Sequence, residues 1–171
     1  MPNFCSNSMS VRGPQPDLDR FVEAVQGIVF GEPCDLVPEA LFPPPPDAPQ
    51  GWRVDNWGTR SVYPPIERTL EEGLAWYHFD SAGDPPLHWM LHVSKLYPSL
   101  TFSIGYSEDG YEFTGHAICA AGVVKEYEQR NYMEPDQLEA YYERRREEET
   151  EREDARFHEE ERQHPSYWWR I

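Results

Sequence analysis

The sequence predicts an α+β fold in which two helices cover one face of an antiparallel sheet. Three observations predict it: strand-like alternation at the amino-terminal end, two segments with apolar residues at helical spacing, and a turn sequence dividing a β-rich last third of the body.

The first element runs from Cys5 to Val11. Cys5, Met9 and Val11 share one side, Ser6, Ser8 and Ser10 the other, and Asn7 is a polar exception on the apolar side. Gly13 and Pro14 break the strand, and Asp17 lies near a helix start. Leu18, Phe21, Val22, Val25 and Ile28 then follow at the spacing of an amphipathic helix. A short strand is expected over Leu36 to Phe42. Pro43 to Pro46 cannot donate ladder hydrogen bonds and read as an extended surface connector.

In the segment from Gly51 to Tyr63, Trp52 and Trp57 flank Asp55 and Asn56, and Gly58 permits a turn. Leu70 to Phe79 reads as one strand of bulky groups. Asp84, Pro85 and Pro86 signal a helix entry. Beyond them Leu87, Trp89, Met90, Val93 and Leu96 face inward, with His88, His92 and Lys95 on the other side. Leu100 to Tyr106 and Tyr111 to Cys119 are strands about a turn at Ser107 to Gly110, and Val123 to Tyr127 adds another. The order fits a ferredoxin-like, split βαβ unit with a β-hairpin extension.

Charge restricts function. Among 171 residues, 31 acids face 15 Lys and Arg, a net charge of -16. A surface this negative repels phosphate, so neither nucleic acid nor an anionic membrane is an expected direct partner. Nowhere does an apolar stretch approach the ~20 residues that cross a bilayer. The amino terminus lacks a basic region followed by an apolar run, so no signal peptide is expected. Three scattered cysteines suggest a reducing compartment, and the expected location is the cytoplasm.

From residue 134 the character changes, which divides the chain into a body, 1–133, and an acidic tail, 134–171. Pro135 suits a first turn, and Arg145 with Glu149 and Glu148 with Arg152 are i,i+4 pairs, so a long charged helix is expected. Such a helix over 134–162 would span ~43 Å at ~1.5 Å per residue. Its thirteen acids would recur every ~3.3 Å, near the ~3.4 Å phosphate spacing of a DNA strand. Interspersed arginines make that imitation of nucleic acid partial. The partner-binding candidates are Glu147, Glu148, Glu149, Glu151, Glu153, Asp154, Glu159 and Glu160. Pro165 ends the helix, and Tyr167, Trp168 and Trp169 either dock on the body or fill a partner pocket.

Four motifs resemble the YubB-type ferredoxin-like proteins, uncharacterised products carried by phages and conjugative plasmids. They are Pro2, Asn3, Cys5, Asn7, Val11 and Gly13; Asp55 through Arg60; Phe79 through Ala82 with Pro85, Pro86 and Trp89; and Tyr97 through Phe102. Together they cover roughly residues 1–125. Arg60 stands where the family has Lys, and the loop between Ala82 and Pro85 is short and lacks the family's Trp. The resemblance implies a ferredoxin-like fold and a mobile-element origin, and it assigns no activity.

Asn3, Asn7, Asn56, Trp57, Gly58, Thr59 and Arg60 are the motif residues of interest, with a structural role expected: the tryptophan packs, the glycine turns, and Asn or Thr caps backbone. His88 and His92 lie one helical turn apart without a recognisable third ligand. No nucleophile elbow, P-loop or dinucleotide fingerprint is present. No catalytic residue, metal or cofactor is therefore expected. The leading expectation is a non-catalytic interaction protein that inhibits a host nucleic-acid-binding defence protein (anti-CRISPR or anti-restriction) by occupying its basic surface. A small-molecule-binding or enzymatic domain, or a self-associating structural protein, is the alternative, and the oligomeric state stays open.

Overall fold

A computed structural model describes residues 3–108 and 113–131 of the protein. In chain order the elements are β1 (Phe4–Arg12), α1 (Gln15–Val25), β2 (Gly27–Val29), β3 (Glu32–Cys34), α2 (Pro38–Leu41) and α3 (Trp52–Trp57), followed by β4 (Val62–Glu71), β5 (Leu74–Ala82), α4 (Leu87–Leu96), β6 (Thr101–Glu108), β7 (Phe113–Ala120) and β8 (Val123–Asn131). The fold is α+β, with a six-stranded sheet in the order β4-β5-β1-β6-β7-β8 and a separate two-stranded ribbon, β2-β3. Every pairing in both sheets is antiparallel.

The alternation in β1 decides which side is covered. Cys5, Asn7, Met9 and Val11 are buried, and their neighbours in register, Tyr77 and Phe79 on β5 and Phe102, Ile104 and Tyr106 on β6, are buried with them. Against this face lie Leu18, Phe21 and Val25 of α1 and Trp89, Met90 and Val93 of α4. Phe21 meets three rings edge-on, with centroids 5.3 Å from Phe102, 5.5 Å from Tyr97 and 6.2 Å from Tyr77. Burying a side chain of this size contributes about 1.5–3 kcal/mol, and each well-placed ring pair adds ~0.5–1.5 kcal/mol.

Several expected elements differ. Ile28 does not extend the face of α1: that helix ends at Val25, and Ile28 stands 74% exposed in β2. The backbone turns there because the Val25 carbonyl accepts the Val37 amide at 2.8 Å, pulling the returning chain alongside. Residues 36–42 are not a strand. Pro38 opens the short helix α2, which suits a residue whose missing N–H is unneeded in a first turn. Leu70 to Phe79 is not one strand but parts of two, because Glu72 and Gly73 (φ +70°) turn the chain from β4 into β5. Leu96 is 52% exposed rather than inward, since α4 ends there and the chain departs through Tyr97. β8 runs past Tyr127 to Asn131. Part of the expected turn at Ser107 to Gly110, and the charged C-terminal helix, lie outside the described residues.

The two margins of the large sheet differ. β4 carries Pro64 and Pro65, and its pairing with β5 shifts register between Tyr63 and Glu67. β8 has no proline, and all nine of its residues are exposed.

Candidate functional site

Three of the family-like motifs, far apart in sequence, meet at one end of the sheet. Asn7, buried at 3% exposure, donates through Nδ2 to the Cys5 carbonyl at 2.8 Å, to Ser81 Oγ at 2.8 Å and to the Phe79 carbonyl at 3.3 Å. Its place on the apolar side is thereby explained, for its amide ties β1 to β5 from within the core. Ser81 Oγ lies 2.8 Å from the Asp84 carbonyl, and the Gly83 amide donates to the Asn3 carbonyl at 2.8 Å.

The second motif joins from α3. Gly51 and Gly58 bracket this six-residue helix, both with left-handed backbones (φ +95° and +88°). Asn56 Nδ2 donates back to the Trp52 carbonyl at 2.8 Å. Trp57 is buried and donates through Nε1 to the Phe42 carbonyl at 3.0 Å. Gly58 closes the helix and leaves no room for a side chain, because a Cβ there would sit 3.0 Å from the Pro85 carbonyl oxygen. Thr59, 1% exposed, directs its hydroxyl at the Ala82 carbonyl (3.1 Å) and the Ser61 carbonyl (3.3 Å). Asp55 and Arg60 are the exposed residues of this motif.

These contacts leave a depression of about 420 Å³ bordered by Asn3, Val54, Gly58, Thr59, Arg60, Ala82, Gly83 and Asp84. The sequence pointed to four of these eight as residues of interest: Asn3, Gly58, Thr59 and Arg60. Gly83 and Asp84 were missed, and the short loop between Ala82 and Pro85 was the signal for them. Beyond Arg60 a second depression, about 370 Å³, runs between the proline-rich segment and α3. The two share Val54 and Arg60.

His88 and His92 are engaged separately. The His88 ring Nδ1 is 3.1 Å from the Asp55 carbonyl, and His92 stacks face to face on Phe42 with centroids 3.7 Å apart. Burial, with help from Lys95, holds the His92 pKa below its usual value. Cys5 and Cys119 are buried, and burial raises the Cys119 thiol pKa. Burial likewise raises the Tyr77 and Tyr106 hydroxyls. Among the described residues no three His, Cys, Asp or Glu are grouped to hold a metal ion. No helix among them is long and apolar enough to cross a membrane. The tail candidates, Glu147, Glu148, Glu149, Glu151, Glu153, Asp154, Glu159, Glu160, Tyr167, Trp168 and Trp169, lie outside the described residues.

No family model and no curated protein matches the chain. Its fold is similar to the crystal structure of the protein Api92 from Yersinia pseudotuberculosis, of the DUF1281 family model: the TM-score is 0.60 at 8% identity, over 78% of this chain and 100% of that one. At that identity the likeness concerns the fold.

Proposed function

We propose that the chain is a non-catalytic interaction protein of the YubB-type, ferredoxin-like kind, carried by a mobile element, that covers the basic surface with which a host defence protein binds nucleic acid. The ferredoxin-like reading rests on the central strands: β1, β4, β5 and β6 stand in the order β4-β5-β1-β6, with α1 following β1 and α4 following β5.

The observation that carries the functional reading is the face of the sheet opposite α1 and α4. In register Ser6 and Ser8 on β1 lie beside Ser107 and Gly105 on β6, with His78 and Trp76 on β5 at the other side of β1. Glu67 and Asp80 stand toward one margin, and Glu126 and Glu128 toward the other. Arg12 and Arg130 are the guanidinium groups on this side. A broad, net-negative plane suits a positively charged partner, and the further acids of the tail would add steering at long range.

The test is capture from host lysate with the full chain at low and high salt, followed by competition with DNA and RNA. Recovery of one nucleic-acid-binding protein, displaced by nucleic acid, is the expected result. Recovery only of assorted basic proteins, lost together at modest salt, overturns the proposal. Charge reversal at Glu67 and Asp80, compared with deletion of 134–171, then apportions binding between sheet face and tail.

A further inference from the structure

One region of the body departs from the prevailing sign of charge. The depression of about 370 Å³ between the proline-rich segment and α3 has Pro45, Trp52 and Val54 among its walls. Arg53 and Arg60 are its charged groups, and no carboxylate lines it. In a chain with twice as many acids as basic residues, a groove bearing guanidinium groups alone needs an explanation.

The two arginines are not equivalent. Arg53 is held in place, its guanidinium 5.1 Å from the Trp57 ring centre and 3.0 Å from Glu39. Arg60 is exposed and has no ion-pair partner among the described residues. It also lines the neighbouring depression of about 420 Å³, so its guanidinium borders both.

We propose that this groove binds an extended peptide in which a single Asp or Glu lies beside apolar residues. The guanidinium fork of Arg60 matches a carboxylate in two parallel hydrogen bonds, which ammonium groups and hydroxyls do not reproduce. Trp52 and the prolines offer rigid apolar walls for the flanking side chains. The surrounding negative charge selects against polyanions, so the ligand carries one carboxylate rather than a run of them. This site is independent of the acidic sheet face.

Titration of the full chain with the peptide Ac-Pro-Phe-Glu-Leu-NH2, against the same peptide with Gln or Lys in place of Glu, tests the proposal. The readouts are the Trp52 indole resonance and calorimetric affinity. The Glu peptide is expected to bind at least ~10-fold more tightly than the Gln peptide, with the Trp52 signal shifting saturably. Arg60→Gln is expected to abolish that preference and Arg60→Lys to retain part of it, while Arg12→Gln leaves it unchanged. Equal affinity for the Glu and Gln peptides overturns the proposal. So does an unmoved Trp52, or saturable binding of inorganic phosphate or a DNA oligonucleotide at Arg60 in place of the peptide.

Discussion

Asn7 on β1 and Ser81 on β5 meet inside the core, the amide nitrogen of one 2.8 Å from the hydroxyl of the other. This contact spans 74 residues of sequence and joins the first motif to the third. Removing the amide takes the side-chain donor from the buried Phe79 carbonyl and leaves the Cys5 carbonyl only the longer contact from the Ser81 hydroxyl at 3.4 Å. Asn7→Ala is expected to cost about 2–3 kcal/mol in urea denaturation. Asn7→Asp, nearly the same shape, should cost more at neutral pH, since its carboxylate would face carbonyl oxygens, and less at pH 4. Equal losses at both pH values would show that shape rather than hydrogen bonding governs the position.

Two glycines with the same φ of +88° separate conformation from space. Gly31 has open surroundings, whereas a Cβ on Gly58 meets the Pro85 carbonyl oxygen at 3.0 Å. Gly31→Ala should cost about 1 kcal/mol, the left-handed strain alone. Gly58→Ala should cost roughly twice that or more, with displaced α4 amide resonances as its signature. Similar losses for the two would remove packing from the account of Gly58.

Tyr77 presents the opposite case. Its ring is fully buried against Phe21, but its hydroxyl has no hydrogen-bond partner. A buried unpaired hydroxyl is a cost rather than a gain, so Tyr77→Phe is expected to be neutral or to stabilise by up to ~1 kcal/mol in thermal unfolding. A loss above that would reveal a partner for the hydroxyl.

His92 supplies a pH dependence whose sign follows from its lowered pKa. The folded state holds the neutral ring on Phe42 more firmly than the unfolded state does, so this contribution is complete above about pH 6.5. It is lost as pH falls through the lowered folded value. The urea midpoint should therefore drop between pH 7.5 and pH 5, and His92→Phe, which keeps an aromatic ring there without a proton site, should flatten that drop. An unchanged slope in the variant would assign the dependence to other groups.

Where the chain signals with a period, the sequence is readable. The serine alternation of β1 and the apolar stripes of α1 and α4 each obey one periodicity over several turns or pleats, and each lies where expected except at the stripe ends, Ile28 and Leu96. The failures are short or depend on distant partners. β2 and β3 have three residues each, and their turn places Phe30 at φ +52°, a conformation that nothing about a phenylalanine announces. The Glu72-Gly73 turn lay inside a run of bulky residues that masked it. The site was legible as residues but not as a place: Asn56 through Arg60 could be named from sequence, whereas the reach of Thr59 to the Ala82 carbonyl, 23 residues away, required the fold.

The unequal margins of the large sheet bear on how such a molecule behaves when concentrated. A strand arriving at β4 finds Pro64 and Pro65 without amide hydrogens and a break in register, while one arriving at β8 finds no proline. If two copies joined through β8, the combined sheet would carry the β4 prolines at both of its sides. The large sheet thus has one margin that resists an added strand and one that carries no proline against it.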